Sequence, residues 1–158
     1  MNEKRKYPDT RIKAINEIFE LIKDEKSWRP EPISTSTLKI LKIASSKESN
    51  AIFALKFLGL IDDDGIPTSD FDNLRNNFQE TLSILVQKNY SELLEIIPIR
   101  RINQDSLLSF FTAAGFSIDT AEYQAKLFIE LCRLAEITLP NVEGKISRTR
   151  MRRGVNDN

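Results

Sequence analysis

The residues of this chain whose type and spacing suit phosphate are Lys39, Lys42, Lys47, Asn50 and Lys56, a span in which Glu48 is the one carboxylate. Ammonium groups at that density neutralise phosphodiester charge and release counterions, and an Asn near a helix start can meet a base edge. A second basic set, Arg148, Arg150, Arg152 and Arg153, follows Lys145 in a stretch poor in apolar residues and reads as a phosphate-seeking arm. The readout groups are sparse. From Ala51 to Leu58 the chain is apolar except for Lys56, so only Lys47, Ser49 and Asn50 can face base edges, and none is Arg, the commonest specific reader.

The opposite chemistry sits close by. Asp62-Asp63-Asp64-Gly65 is an acidic turn, and residues 61–99 carry eight carboxylates against Arg75 and Lys88. Consecutive carboxylates in a tight turn cannot converge on one ion, and their spacing is not that of a calcium loop, so no metal site is expected there. Asp62, Asp63 and Asp64 instead form a candidate contact for a basic partner surface, and they would repel DNA phosphates. Asp70 and Asp72 already have a structural role, at the positive end of a helix. Arg100-Arg101 is read as solvated surface.

Catalysis is disfavoured. The chain of 158 residues has no histidine and one cysteine, Cys132, which falls in the apolar pattern Phe128–Leu131–Cys132–Ala135 and reads as a core residue. A nucleophile would lack its usual base, zinc would lack its usual ligands, and five glycines form no phosphate loop. Lys plus Arg and Asp plus Glu balance at 23 each, so net charge selects no partner class. No apolar run approaches membrane-spanning length and no signal-peptide core follows the first residues, so a cytoplasmic protein without cofactor or small-molecule substrate is expected.

Helical spacing of Ile12, Ile15, Ile18, Phe19 and Ile22 predicts a helix over Thr10–Glu25, after a frayed segment 1–9. Pro30 and Pro32 make a rigid connector that Trp28 pins to the core. Thr37–Ala44, capped by Ser36 or Thr37, and Lys47–Leu58, capped by Ser46 and ended by Gly59, are the next helices. Apolar residues on either side of Asp64-Gly65 predict a β-hairpin, and Thr68 or Ser69 caps a helix through Phe71 and Leu74. Helix, helix, hairpin, helix is the order of a winged helix. Helical patterns follow at Phe78–Val86, Leu93–Ile97 before Pro98, and Leu107–Phe111 closed by Gly115, with a last helix opened by Asp119 and Glu122 as a capping box.

The passage Ala54-Leu55-Lys56-Phe57-Leu58-Gly59-Leu60-Ile61-Asp62-Asp63-Asp64-Gly65-Ile66-Pro67-Thr68 resembles the signature of a family of small prokaryotic proteins catalogued only as a domain of unknown function. Tyr90-Ser91-Glu92-Leu93-Leu94, Phe110-Phe111, Gly115-Phe116-Ser117, Thr120-Ala121 and Phe128–Cys132 resemble its second half. The resemblance spans roughly residues 34–137. It implies a winged-helix-like N-terminal half and a helical C-terminal half, and no catalytic residues to carry over.

The expected fold is therefore mainly α: a frayed N-terminus (1–9), a winged-helix-like half (10–76), a helical C-terminal half (77–142) and a flexible basic tail (143–158). The expected function is non-enzymatic nucleic-acid association through the basic helix face and the tail, in regulation or genome defence. The alternative is an assembly subunit, contacting a protein partner or another copy through the acidic hairpin and the apolar third helix.

Overall fold

The computed structural model describes residues 6–142; the arginines at 148, 150, 152 and 153 lie outside the described residues. The apolar stripe read from Ile12 to Ile22 forms helix α1 (Ile12–Asp24), which buries Ala14, Ile15, Ile18, Phe19 and Ile22. Its exposed C-terminal carbonyls are met from a distance. Arg75 donates to the carbonyls of Ile22, Glu25 and Trp28 at 2.7, 3.1 and 2.6 Å, placing a cation at the negative end of the helix.

Helix α2 (Thr35–Leu41) opens on Ser34, not on Ser36 or Thr37. Ser34 Oγ accepts from the Thr37 N–H, and Thr37 Oγ1 accepts from the Ser34 N–H at 3.1 Å, a reciprocal capping box. The helix stops short of Ala44 because Lys42 turns left-handed (φ +61°), and the Ile43 N–H donates back to the Leu38 carbonyl. That turn returns Ile43 to the core. Helix α3 (Glu48–Leu58) follows and ends, as its glycine predicts, at Gly59 with φ +83°. Ser46 does not cap it; its backbone is left-handed and its N–H donates to Glu48 Oε2.

The expected β-hairpin is not formed: no strand occurs among the described residues, and Ile61 and Pro67 make an isolated antiparallel bridge. Two backbone bonds cross the segment, from the Asp62 N–H to the Ile66 carbonyl and from the Thr68 N–H to the Leu60 carbonyl, and two features keep them from extending into strands. Pro67 has no N–H to donate. The carboxylate of Asp62 closes the loop on itself, accepting from the Asp64 and Ile66 N–H groups at 2.9 Å each. Thr68 occupies the N-cap position of the next helix, as expected, but its hydroxyl donates to the Gly59 and Leu60 carbonyls and makes no capping bond. The loop packs on the connector before α2, where the Ile33 N–H donates to the Gly65 carbonyl at 2.9 Å.

Helices α4 (Ser69–Asn76), α5 (Phe78–Asn89), α6 (Ser91–Ile96), a 3₁₀ turn (Ile99–Arg101), α7 (Gln104–Ala113) and α8 (Ile118–Leu134) complete the described fold. Ser117, not Asp119, caps α8, accepting from the Thr120 N–H. None of the helices is long and apolar enough to cross a membrane, among the described residues.

One continuous core joins both halves. Tyr7, expected in a frayed segment, is buried with its ring centroid 5.3–5.8 Å from those of Phe57, Tyr90, Phe110 and Phe111. Its carbonyl accepts from the buried Gln124 side chain of α8 at 3.1 Å. The N-terminal segment thus closes the contact between α3 and the C-terminal helices. Cys132 is buried in that core, as its pattern predicts. Trp28 packs beside Phe71, and Arg29 pairs with Asp72 through both nitrogens facing it, which pulls the Asp72 carboxyl below its usual range.

Candidate functional site

Two helix N-termini meet at a cleft on the surface. Thr10, buried just ahead of α1, donates its hydroxyl to the Asn50 carbonyl in the first turn of α3 at 3.0 Å. That bond holds the starts of α1 and α3 beside each other. Between them and the loop after α2 lies a cleft of about 420 Å³ whose charged lining is Arg11, Lys13, Lys42 and Lys47 against the single carboxylate Glu17. Thr10, Asn50 and Ser45 add hydroxyl and amide groups to its wall.

The placement of these cations runs against the helix dipole. Arg11 is the N-cap of α1 and Lys13 lies in its first turn; Lys47 is the N-cap of α3. Neither end is capped by a side chain, and α1 has no acidic residue in its first turn. Each cation at a positive helix end costs about 0.3–1 kcal/mol where a carboxylate would stabilise, so the sequence carries here a charge pattern that folding alone disfavours. An anion in the cleft would lie beside the starts of α1 and α3 and their side-chain cations; of the two helices, α3 carries an acidic residue in its first turn, Glu48, whose carboxylate accepts from the Ser46 N–H.

The side chains are held to different degrees. Arg11 lies flat against Tyr123 of α8, its guanidinium carbon 3.6 Å from the ring centroid. Lys13 reaches Glu17 one turn on at 3.9 Å with its side chain 87% exposed, an ion pair that water and salt screen readily. Lys42 and Lys47 are exposed on the loop that crosses the cleft.

Of the residues singled out in the sequence, the fold brings Lys42, Lys47 and Asn50 together here and leaves Lys39 and Lys56 outside the lining, both exposed on their own helices. Arg11 and Lys13 were not among them. The available signal was a pair of cations at a helix start where acidic residues are preferred. Asp62, Asp63 and Asp64 are all exposed, and Asp62 uses one carboxylate oxygen, Oδ1, to hold the turn. The apolar third helix offers little to a partner, because Ala51, Ile52, Ala54, Leu55, Phe57 and Leu58 are all buried in this chain's own core.

Comparison with known families bears on the fold as a whole. Residues 9–140 match the model of a family of unknown function, DUF5343. The chain belongs to this family. The match takes in α1 through α8, so Arg11, Lys13, Lys42, Lys47 and Asn50 all lie within the DUF5343 region, and the arginines from 148 onward lie beyond it. No curated protein and no solved structure shows significant similarity to the chain.

Proposed function

We propose that this DUF5343 protein is a non-enzymatic nucleic-acid-binding protein whose cationic cleft takes backbone phosphate. The observation that carries the reading is the convergence of Arg11, Lys13, Lys42 and Lys47 on the uncapped N-termini of α1 and α3. Cations there oppose the helix dipole, and a bound phosphate turns that repulsion into attraction. Asn50 is the one amide on the wall suited to a base edge, so contacts to phosphate dominate and sequence readout is slight. The arginines at 148, 150, 152 and 153 supply further phosphate contacts in this reading, in a role in regulation or genome defence.

The test is fluorescence anisotropy with a random-sequence duplex, comparing wild type, Lys42→Ala/Lys47→Ala, and a chain ending at Val142. Wild type should bind with micromolar affinity at about 50 mM salt and weaken steeply toward about 200 mM. Removing both lysines should weaken binding and reduce the log–log salt slope by about 2, one phosphate for each. Absence of binding at low salt overturns the proposal. So does binding that ignores the lysine substitutions and vanishes with the tail.

A further inference from the structure

A second groove lies beside the cationic cleft and has the opposite charge. Its volume is about 330 Å³, and its rim carries Glu17, Glu20, Asp24 and Glu25 of α1 and its C-cap. The floor is apolar, made by Leu21, Leu41 and Ile43. The two depressions are contiguous. Glu17 lines both, and at the end of α2 Leu41 faces the acidic groove while Lys42 faces the cationic cleft. Leu41 is 40% accessible, and Ile40, its neighbour on α2 outside the lining of either depression, is 80% accessible.

We propose that a second copy of this chain docks on this face, with the cationic cleft of each copy seated against the acidic groove of the other. The arrangement follows from symmetry. A two-fold axis through the end of α2 turns one copy end for end, so basic meets acidic on both sides at once and a single patch is its own complement. The exposed Ile40 and Leu41 then lie near the axis and are withdrawn from water against their counterparts. The charges around them set register and favour this pairing over a parallel one, in which like charges would meet. The inference does not rest on the nucleic-acid reading. It adds to it that a second copy and a phosphate backbone compete for one cleft.

A charge-swap experiment on the full chain decides the matter. The variants are Lys42→Glu/Lys47→Glu, which reverses the cleft, and Glu20→Lys/Asp24→Lys, which reverses the groove. All four positions are exposed, and far-UV circular dichroism verifies the fold. At low salt wild type should sediment with the mass of two chains of 18.2 kDa. Each variant alone should sediment as one chain, because cleft and groove then carry the same sign. Mixing the two variants should restore the dimer, since both pairings become complementary again. Ile40→Glu, at an exposed site, should also dissociate the dimer. The proposal is overturned if wild type stays monomeric at high micromolar concentration and low salt. It is equally overturned if either reversed variant still dimerises alone, or if the mixture does not. The groove-reversed chain keeps its cationic cleft intact, so its affinity for duplex reports on the nucleic-acid proposal separately.

Discussion

Replacing Gly65 with alanine tests the loop that takes the place of the expected hairpin. Gly65 is buried with φ +86°, and an added Cβ would stand 2.8 Å from the Ile33 carbonyl oxygen and 2.9 Å from Pro32 Cβ. The left-handed backbone alone costs a Cβ-bearing residue about 1–2 kcal/mol. The clash cannot be relieved by a side-chain rotation, since the nearest atom is backbone. Moving the loop away stretches the hydrogen bond from the Ile33 N–H to the Gly65 carbonyl, now 2.9 Å, at a further cost of about 1 kcal/mol. The expected loss for Gly65→Ala is therefore about 2–4 kcal/mol, with overpacking setting the upper end. Gly59→Ala is the matched control. Its φ is nearly the same at +83°, but its Cβ would meet nothing closer than Asp70 Oδ2 at 3.8 Å. It should lose only the backbone share of about 1–2 kcal/mol. Urea unfolding followed by circular dichroism measures both. Equal losses for the two variants would refute the claim that the loop is pressed against the Pro32–Ile33 connector.

Tyr7→Ala should destabilise by about 3 kcal/mol despite its place near the start of the chain, because it removes a buried ring packed against Phe57 of α3, Tyr90, and Phe110 and Phe111 of α7; thermal unfolding gives the value, and a change within about 0.5 kcal/mol would return residues 6–9 to the frayed segment. The Glu130 carboxyl is held below its ordinary value, first by the hydrogen bonds from Arg133 and then, against the opposing effect of burial, by that from Asn16 of α1. A carboxyl depressed in the folded state adds stability that is complete above the ordinary value of 4.5 and is lost as pH falls through the folded value. Glu130→Gln should accordingly cost about 1–2 kcal/mol at neutral pH, the Arg133 share being reduced by its exposure, and should flatten the fall of stability below about pH 4.5; an unchanged acid limb in urea titrations at several pH values would contradict this.

Helix ends show where the sequence was legible and where it was not. Four helices close with the same pair of backward hydrogen bonds: α2 at Lys42, α3 at Gly59, α7 at Gly115 and α8 at Glu136, each with a positive φ. The two glycine stops can be read directly, since glycine adopts that conformation without strain. The stops at Lys42 and Glu136 have no such mark, because what imposes them is the residue that follows: Ile43 is drawn back onto the core after α2, and Ile137 packs against it after α8. The misplaced caps have a similar origin. Ser34, Ser36, Thr37 and Ser46 have comparable capping chemistry, and the choice among them fell to the backbone set by the Pro32–Gly65 contact and the Ile43 turn.

Apolar spacing by itself determined that the chain is helical, where α1, α3, α5 and α8 run, and that Cys132 belongs to a core, because a stripe with helical period has no other low-energy use in water. Composition by itself determined that histidine chemistry is absent. Tertiary structure alone decided that the Leu60–Thr68 segment is a loop with one isolated bridge and not a stranded hairpin, because Asp62 takes the Ile66 N–H for its own turn and Pro67 has no N–H to offer. It alone decided which lysines matter together. Lys39, Lys42, Lys47 and Lys56 are equivalent in a linear reading, but the Thr10–Asn50 bond sets the start of α1 beside the start of α3, and only Lys42 and Lys47 then face Arg11 and Lys13 across a shared space. Charges separated by some thirty residues act on one ligand only when the packing of the core brings them within its reach.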